Sequence, residues 1–310
     1  MVTLICGSFA YDTIMVFPDK FKHHILPDKV HILNVSFNVS KMRREFGGCA
    51  GNIAYNLRLL EGEPLPMGTV GDDFGPYAEW MDRCGIPRTH VTPVPGTYTA
   101  QAFITTDMDD NQITAFHVGA MIESHRNSVK NARDVKLGIV SPDGGDGMIQ
   151  HAKEFAAAGI PFIFDPGQAM PLFDGKQLLQ FLEEASFLSV NDYEAQMFKD
   201  KTGKTLKELA ARVKALVVTK GAQGSEIHTQ GRIVTIPAAK AKTISDPTGC
   251  GDAYRAGLLL GIARGMEWET TGRIAALMGA IKIEHHGTQN QRFTLAEFAA
   301  RFKQEFGFSF

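Results

Sequence analysis

The chain has 310 residues, enough for one large α/β domain or two small ones with a sizeable core. Hydrophobic residues make up 44% and charged residues 21%, with 32 Lys and Arg against 34 Asp and Glu. A net charge of −2 gives no basic footprint for nucleic acid or an anionic membrane surface, and no apolar run reaches the length that spans a bilayer.

Along the chain, VTLICG (2–7) is a nearly continuous apolar run, the mark of a buried parallel strand. The opening MVTLICGSFAYD has no basic n-region, so a soluble, cytoplasmic protein is expected. Residues 13–46 contain ILNVSFNVS, where Leu33, Val35, Phe37 and Val39 alternate onto one face of an expected strand. NIAYNLRLLEG then carries Ile53, Leu57 and Leu60 at helical spacing, with Gly62 as a stop. LPMGTVG reads as a strand and FGPYAEWMDRCG as a helix ended by Gly85 and Pro87. YTAQAFITTDMDDNQITAFHVG holds two strand-like runs around an Asp-Asp-Asn turn, a hairpin pattern. KLGIV (136–140), PFIFD (161–165), SFLSV (186–190) and ALVVT (215–219) are short buried-type strands between helical patterns, and a further hairpin is expected around TQGR (229–232). This rhythm predicts a doubly wound, mainly parallel α/β sheet with helices on both faces and ligand loops at the C-terminal strand ends. The stretches at about 13–46 and 98–118 are read as insertions forming a small β-sheet lid on a single domain, 1–310.

The chemistry concentrates in DPTGCGDAYRAG, Asp246 to Gly257. Gly249, Cys250 and Gly251 would present successive N–H groups where a helix begins, which with the positive end of the helix dipole makes an anion site. Asp252 in the first turn cannot bind a phosphate, but it can take the proton from a hydroxyl that attacks one. The plainer reading is a helix capped by Asp246 or Thr248 after a glycine turn. Four cysteines, Cys6, Cys49, Cys84 and Cys250, stand apart with no CxxC pair, which fits reduced thiols better than disulfides or zinc. Cys250 reads as a small apolar filler, with oxidation sensitivity as the alternative. The pairs His23–His24 and His285–His286, the loop SPDGGDGM (141–148) and the cluster Lys41, Arg43, Arg44 carry no metal or catalytic pattern.

Taken together, DPTGCGDAYRAG, GGCAGNIA (47–54), SVNDYEA (189–195) and TKGAQG (219–224) resemble, in order and spacing, the motifs of the PfkB, or ribokinase-like, kinase family. GSFAYD, LPDKVHILNVSFNV, TTDMDDNQITAFHVGAM and NDYE look like its actinobacterial-type adenosine kinases. The resemblance implies an ATP- and Mg²⁺-dependent transfer of the γ-phosphate to the 5′-hydroxyl of adenosine. Asp252 would be the base and Gly249, Cys250 and Gly251 the anion hole. Asp12, Gly48 and Asn52 would hold sugar hydroxyls, with Asn52 also readable as a helix cap. Ser8, Ser36 and Gln168 would contact the nucleoside, and Phe103 and Phe116 in the lid hairpin would stack on the base. Asn191 and Glu194 would arrange Mg²⁺ through water, Thr219, Gly221 and Gly224 would lie near ATP, and Gly287 of GTQ (287–289) would fall near the adenine end. Asp246 and Thr248 match a loop linked in some relatives to a monovalent cation such as K⁺. The lid's exposed apolar face is a candidate homodimer contact. Alternatives are a sugar kinase acting on ribose or fructose, another nucleoside kinase, or a nucleoside-binding regulator without turnover; Phe37, Phe103 and Phe116 favour a base over a free sugar.

Overall fold

In the computed structural model, which describes residues 1–25, 27–32, 34–109 and 111–310, Leu4 and Cys6 enter one hydrophobic core while Ile5 between them enters another. That period-two division is what a strand covered on both faces produces. In chain order the strands are β1 (Val2–Cys6), β2 (Ala10–Val16), β3 (Lys41–Gly47), β4 (Glu63–Val70), β5 (His90–Pro93), β6 (Ala100–Thr106) and β7 (Gln112–His117). They continue with β8 (Val135–Val140), β9 (Phe162–Phe164), β10 (Phe187–Asn191), β11 (Ala215–Thr219), β12 (Ser225–Thr229) and β13 (Arg232–Ile236). The α-helices are α1 (Cys49–Leu59), α2 (Gly75–Cys84), α3 (Gly145–Ala157), α4 (Gly175–Glu184), α5 (Asp192–Thr202), α6 (Leu206–Ala210), α7 (Cys250–Ala263), α8 (Trp268–Ile283) and α9 (Leu295–Phe306).

Nine strands form one sheet in the order β13-β12-β11-β10-β9-β8-β1-β4-β5, parallel except for the antiparallel edge hairpin β12–β13. Helices α1, α2, α7, α8 and α9 cover the face reached by Ile5, Ile139 and Val217, and α3 to α6 cover the other. Each large apolar side chain buried in these layers contributes about 1.5–3 kcal/mol, so the platform is held far more firmly than the loops at its edge. From β1 the chain moves outward one way through β4 and β5 and the other way through β8 to β11, which makes the C-terminal ends of β1 and β8 a topological switch point, the kind of crevice that holds ligands in open α/β sheets. The lid is a separate sheet, β3-β2-β6-β7.

The expected strand at 32–40 is not there. Pro27–Ile32 is a 3₁₀ helix, residues 34–39 have no regular structure, and Leu33 lies outside the described residues. Phe37 instead packs on Phe17 and Phe21, with ring centroids 4.8 and 5.0 Å apart. The alternation reflects leaning on an aromatic cluster, with no strand partner among the described residues. The lid hairpin is present as β6 and β7; its turn includes Asp109 and Asn111, whereas Asp110 is outside the described residues. Among the described residues all four cysteines are free, and no helix is long and apolar enough to cross a membrane.

Candidate active site

Helix α7 starts abruptly because Gly249 takes φ +79°, and a Cβ there would stand 3.0 Å from the Thr288 side chain. Ala253 N–H then bonds Gly249 O at 3.0 Å, which leaves the preceding amides outside the helical ladder. Among the described residues the N–H groups of Gly249, Gly251 and Asp252 have no acceptor. The Cys250 N–H differs from the sequence expectation: it closes a turn onto Pro247 O at 3.2 Å. The donors at this helix start are therefore Gly249, Gly251 and Asp252, with the Cys250 amide held back.

Asp252 Oδ2 accepts a hydrogen bond from Asn52 Nδ2 at 2.8 Å. Burial pushes the Asp252 carboxyl above its usual value, while Arg255, Asn52 and the Cys49 thiol pull the other way. Asn52 is not a helix cap. It stands inside α1, whose cap is Gly48 at φ +85°, where a Cβ would lie 2.5 Å from Ser8 O. A carboxylate can only accept, so the Asn52 NH₂ faces Asp252 and its Oδ1 accepts from Gln289 Nε2 at 3.0 Å. Gln289 is fully enclosed by two further partners, Tyr77 Oη at 2.7 Å and Trp80 Nε1 at 2.8 Å, and Tyr77 in turn donates to Gly47 O. A buried relay thus fixes the orientation of Asn52 and, through it, of Asp252.

Asp12 comes from the lid. On β2 it pairs with Glu45 of β3 and Ala102 of β6, and Ala102 pairs with Phe116 of β7. Side chains at paired positions share a face, so Asp12, Glu45 and Phe116 look the same way, towards the site. Burial raises the Asp12 carboxyl to about 6, helped by the negative charges of Asp252, Asp246 and Glu45. Phe103 pairs with Thr13 and Ala115 and therefore points to the opposite face from Phe116, so the two phenylalanines cannot stack on one base. Ser8 is buried at the end of β1, and its Oγ accepts from the Cys49 N–H at 3.3 Å, supporting the start of α1. Gln168 follows β9 and reaches from the surface to Cys49 Sγ at 4.0 Å. Ser36 is exposed in the irregular lid segment.

At the other end, register places Asn191 beside Thr219 at the C-terminal edges of β10 and β11. Asn191 Oδ1 accepts from the Glu194 N–H at 2.7 Å and Glu194 Oε2 from the Asn191 N–H at 2.8 Å, a capping box that starts α5. One Glu194 carboxylate oxygen is thereby committed to the helix start. Gly221 and Gly224 form a closed turn before β12, with Lys220 N–H on Gly224 O at 2.8 Å. In GTQ, Gly287 N–H bonds Asp246 Oδ2 at 3.0 Å, Thr288 donates to Phe46 O, and Gln289 joins the relay above. The hydrogen-bond partners of GTQ belong to the loop before α7, the lid root, α1 and α2.

Several residues escaped the sequence reading. Arg255 is buried one turn after Asp252 and forms an ion pair with Asp165 at the end of β9, with Nη2 to Oδ1 at 2.5 Å. Asp165 outweighs burial and holds the guanidinium charged. Lys282, with no exposed surface, donates from α8 to two main-chain carbonyls. Both announce themselves in the sequence as single cations inside apolar helices, AYRAGLLLG and GAIKIE. Tyr77 and Gln289 give no such local signal, because the relay joins positions more than 200 residues apart.

Comparison with known proteins follows the same lines. Residues 11–294 match the family described as pfkB family carbohydrate kinase. A nucleoside kinase of Methanocaldococcus jannaschii is 32% identical over 83% of this chain and 85% of its own, and one of Methanothermobacter thermautotrophicus is 30% identical over 96% and 97%. The solved structure of Burkholderia thailandensis nucleoside kinase in complex with inosine superposes with a TM-score of 0.90 at 54% identity, covering 99% of both chains. Members of this family are ATP-dependent phosphotransferases acting on hydroxyl groups. The chain belongs to the pfkB family of carbohydrate kinases.

Proposed function

We propose that this protein is a nucleoside kinase that transfers the γ-phosphate of ATP to the 5′-hydroxyl of adenosine, giving AMP and ADP. The observation that carries the reading is the placement of Asp252: ionisable, hydrogen-bonded at 2.8 Å to a fixed Asn52, and in the same helix turn as amides without an acceptor among the described residues. Asp12 faces this point from the lid and supplies a carboxylate for the ribose hydroxyls. Asp252 takes the 5′-hydroxyl proton as the oxygen attacks, and the amides of Gly249, Gly251 and Asp252 receive the charge that grows on the transferring phosphoryl group. The raised Asp252 carboxyl suits the task, since a carboxylate of higher pKa is the stronger base. Phe116 lies on Asp12's face of the lid and is the aromatic platform for the purine.

Magnesium, when bound with the nucleotide, neutralises phosphate charge. Among the described residues no three His, Cys, Asp or Glu side chains gather as a metal cage, and the Glu194 oxygen outside the capping box, with Asn191 beside it, would hold the ion through water. Inosine is the second acceptor to consider, because the similar Burkholderia enzyme was solved with inosine. The outer lid face, with Phe103 and Ile113 exposed, is the proposed contact with a second copy. A product-resolved assay with ATP, Mg²⁺ and adenosine, inosine, guanosine, ribose and fructose tests the proposal. AMP formed fastest from adenosine supports it. Faster inosine or guanosine turnover discards the adenosine preference and keeps the nucleoside class, whereas preference for a free sugar overturns the class.

A further inference from the structure

Lys282 occupies the last turn of α8 with none of its surface exposed, yet its described partners include no carboxylate within ion-pair distance. Its Nζ donates instead to two main-chain carbonyl oxygens, Asp246 O at 2.7 Å and His285 O at 3.1 Å. A buried ammonium satisfied by carbonyls is bound in the manner of a desolvated monovalent ion. The place is also favourable, since the C-terminal end of a helix attracts positive charge.

What the ammonium grips is the loop leading into the anion hole. Ser245 and Asp246 both donate their N–H groups to Ile283 O, at 2.8 and 3.2 Å, so the loop hangs on the end of α8. The Asp246 carboxylate accepts from Thr248 N–H at 2.9 Å and Gly287 N–H at 3.0 Å. Lys282 completes this arrangement from the carbonyl side of Asp246, three residues before Gly249. The same Asp246 carbonyl lies 3.9 Å from the Cys250 thiol, so the oxygen held by Lys282 also meets the first turn of α7.

We propose that the Lys282 ammonium is a tethered monovalent cation that positions the Asp246–Gly251 loop, so that this kinase works without an exchangeable potassium ion. The residues do not fit a free ion in addition. The Asp246 and His285 carbonyls are already engaged, and a second unit charge about 4 Å from the ammonium would be repelled by about 4 kcal/mol at an effective dielectric of 20. Lys282 acts through the loop and is a positioning residue, not a catalytic one.

The inference rests on the phosphotransfer reading of the α7 helix start, and the experiment separates the two. Turnover of the full-length protein is measured at constant ionic strength in the chlorides of potassium, sodium, ammonium and tetramethylammonium, alongside ²⁰⁵Tl NMR with thallium(I) as the binding probe. The wild type is expected to show kcat values equal within about twofold in all four salts and no saturable thallium site displaced by potassium. In Lys282→Ala the vacated space admits a small cation: kcat falls about 10- to 100-fold in tetramethylammonium with the nucleoside KM little changed, ammonium or potassium restores it severalfold, and thallium binds. Lys282→Met, of similar length but uncharged, is expected to lose kcat without rescue, and thermal melts of both variants report folding. Strong activation of the wild type by potassium, a potassium-displaced thallium site in it, or Lys282→Ala that is fully active in tetramethylammonium or is not rescued would each overturn the inference. Should Lys282→Ala fail to fold, the wild-type salt series and thallium titration decide. Absence of wild-type turnover on every nucleoside would instead sink the functional reading, with thallium binding still deciding the cation question.

Discussion

A carboxylate works as a base only when it is ionised, aimed and spared from better partners, and Asp252 meets these conditions through its neighbours. Asn52 supplies one hydrogen bond to Oδ2 and leaves the other oxygen for an incoming hydroxyl. Asp252→Asn keeps the shape and removes the basicity, so kcat is expected to fall by about 10²- to 10⁴-fold while calorimetry finds nucleoside affinity nearly unchanged. Full turnover in that variant would discard Asp252 as the base. Gln289 is the more telling position, because it is buried and its side chain is bonded to Asn52, Tyr77 and Trp80. Gln289→Met strands Asn52 Oδ1, Tyr77 Oη and Trp80 Nε1 without their partner, and Asn52 loses its fixed orientation. We expect kcat to drop about 10- to 100-fold with the ATP KM unmoved, the signature of a misaimed base; an unchanged kcat in a folded variant would make the relay a packing feature only. The acid side of the pH profile follows from Asp12. Its carboxyl, raised to about 6, must be ionised to grip hydroxyls, so kcat/KM should decline as pH falls through about 6, and Asp12→Asn should flatten that limb.

On the proposed reading the lid sheet divides its duties by face, base stacking on one side and contact with a second copy on the other. Phe116, 52% exposed, shares a side with Asp12, whereas Phe103 lies on the other side and is 41% exposed. Phe116→Ala should therefore raise the nucleoside KM by about 2- to 10-fold, the equivalent of the roughly 0.5–1.5 kcal/mol of an aromatic stack, and leave association unaffected. Phe103→Asp should act the other way round, shifting a dimer towards monomer in sedimentation with little change in KM. Equal effects of both substitutions on KM would contradict the division by faces. The same sheet marks where sequence reading succeeds and where it stops. Strands such as β10 and β11, covered on both faces, write themselves as continuous apolar runs, and the β6–β7 hairpin is announced by alternation around a polar turn. The segment 34–39 alternates just as well but leans on Phe17 and Phe21, and nothing local distinguishes that from strand pairing. The glycine-rich start of α7 is legible because caps and anion sites are made of neighbours in sequence. Asn52, Gln289 and Tyr77 meet only after folding, so neither the support beneath Asp252 nor the part that Gln289 of GTQ takes in it is legible from neighbours in sequence.

At the scale of the molecule, the seam between lid and main sheet is a concentration of negative charge. Asp252, Asp246 and Glu45 all push up the Asp12 carboxyl there; of the nearby cations Arg43 lies 3.6 Å from Glu45 and 3.8 Å from Asp246, and Arg255 and Lys282 are engaged by Asp165 and by carbonyls. Such a site costs stability when no substrate is present. For Asp12 the size and sign can be worked out. Its carboxyl ionises near the ordinary 3.8 when unfolded and at about 6 when folded, so the folded state is penalised by at most about 3 kcal/mol at neutral pH. Because the folded value is the higher one, the stabilising contribution of protonation is complete below about 3.8 and is lost as pH rises through about 6. Asp12→Asn removes the charge and keeps the size. The ligand-free variant should therefore melt at a higher temperature than the wild type at pH 7.5, its advantage should shrink steadily between pH 6 and pH 4, and its nucleoside kcat/KM should be reduced about 10- to 100-fold by loss of charge-assisted bonds to the ribose. Calorimetric scans of both proteins across that range decide the matter. An advantage that grows as the pH falls would mean that the Asp12 charge is favourable in the folded protein, and the crowding of carboxylates at the seam would then need another explanation than a tolerated cost of function.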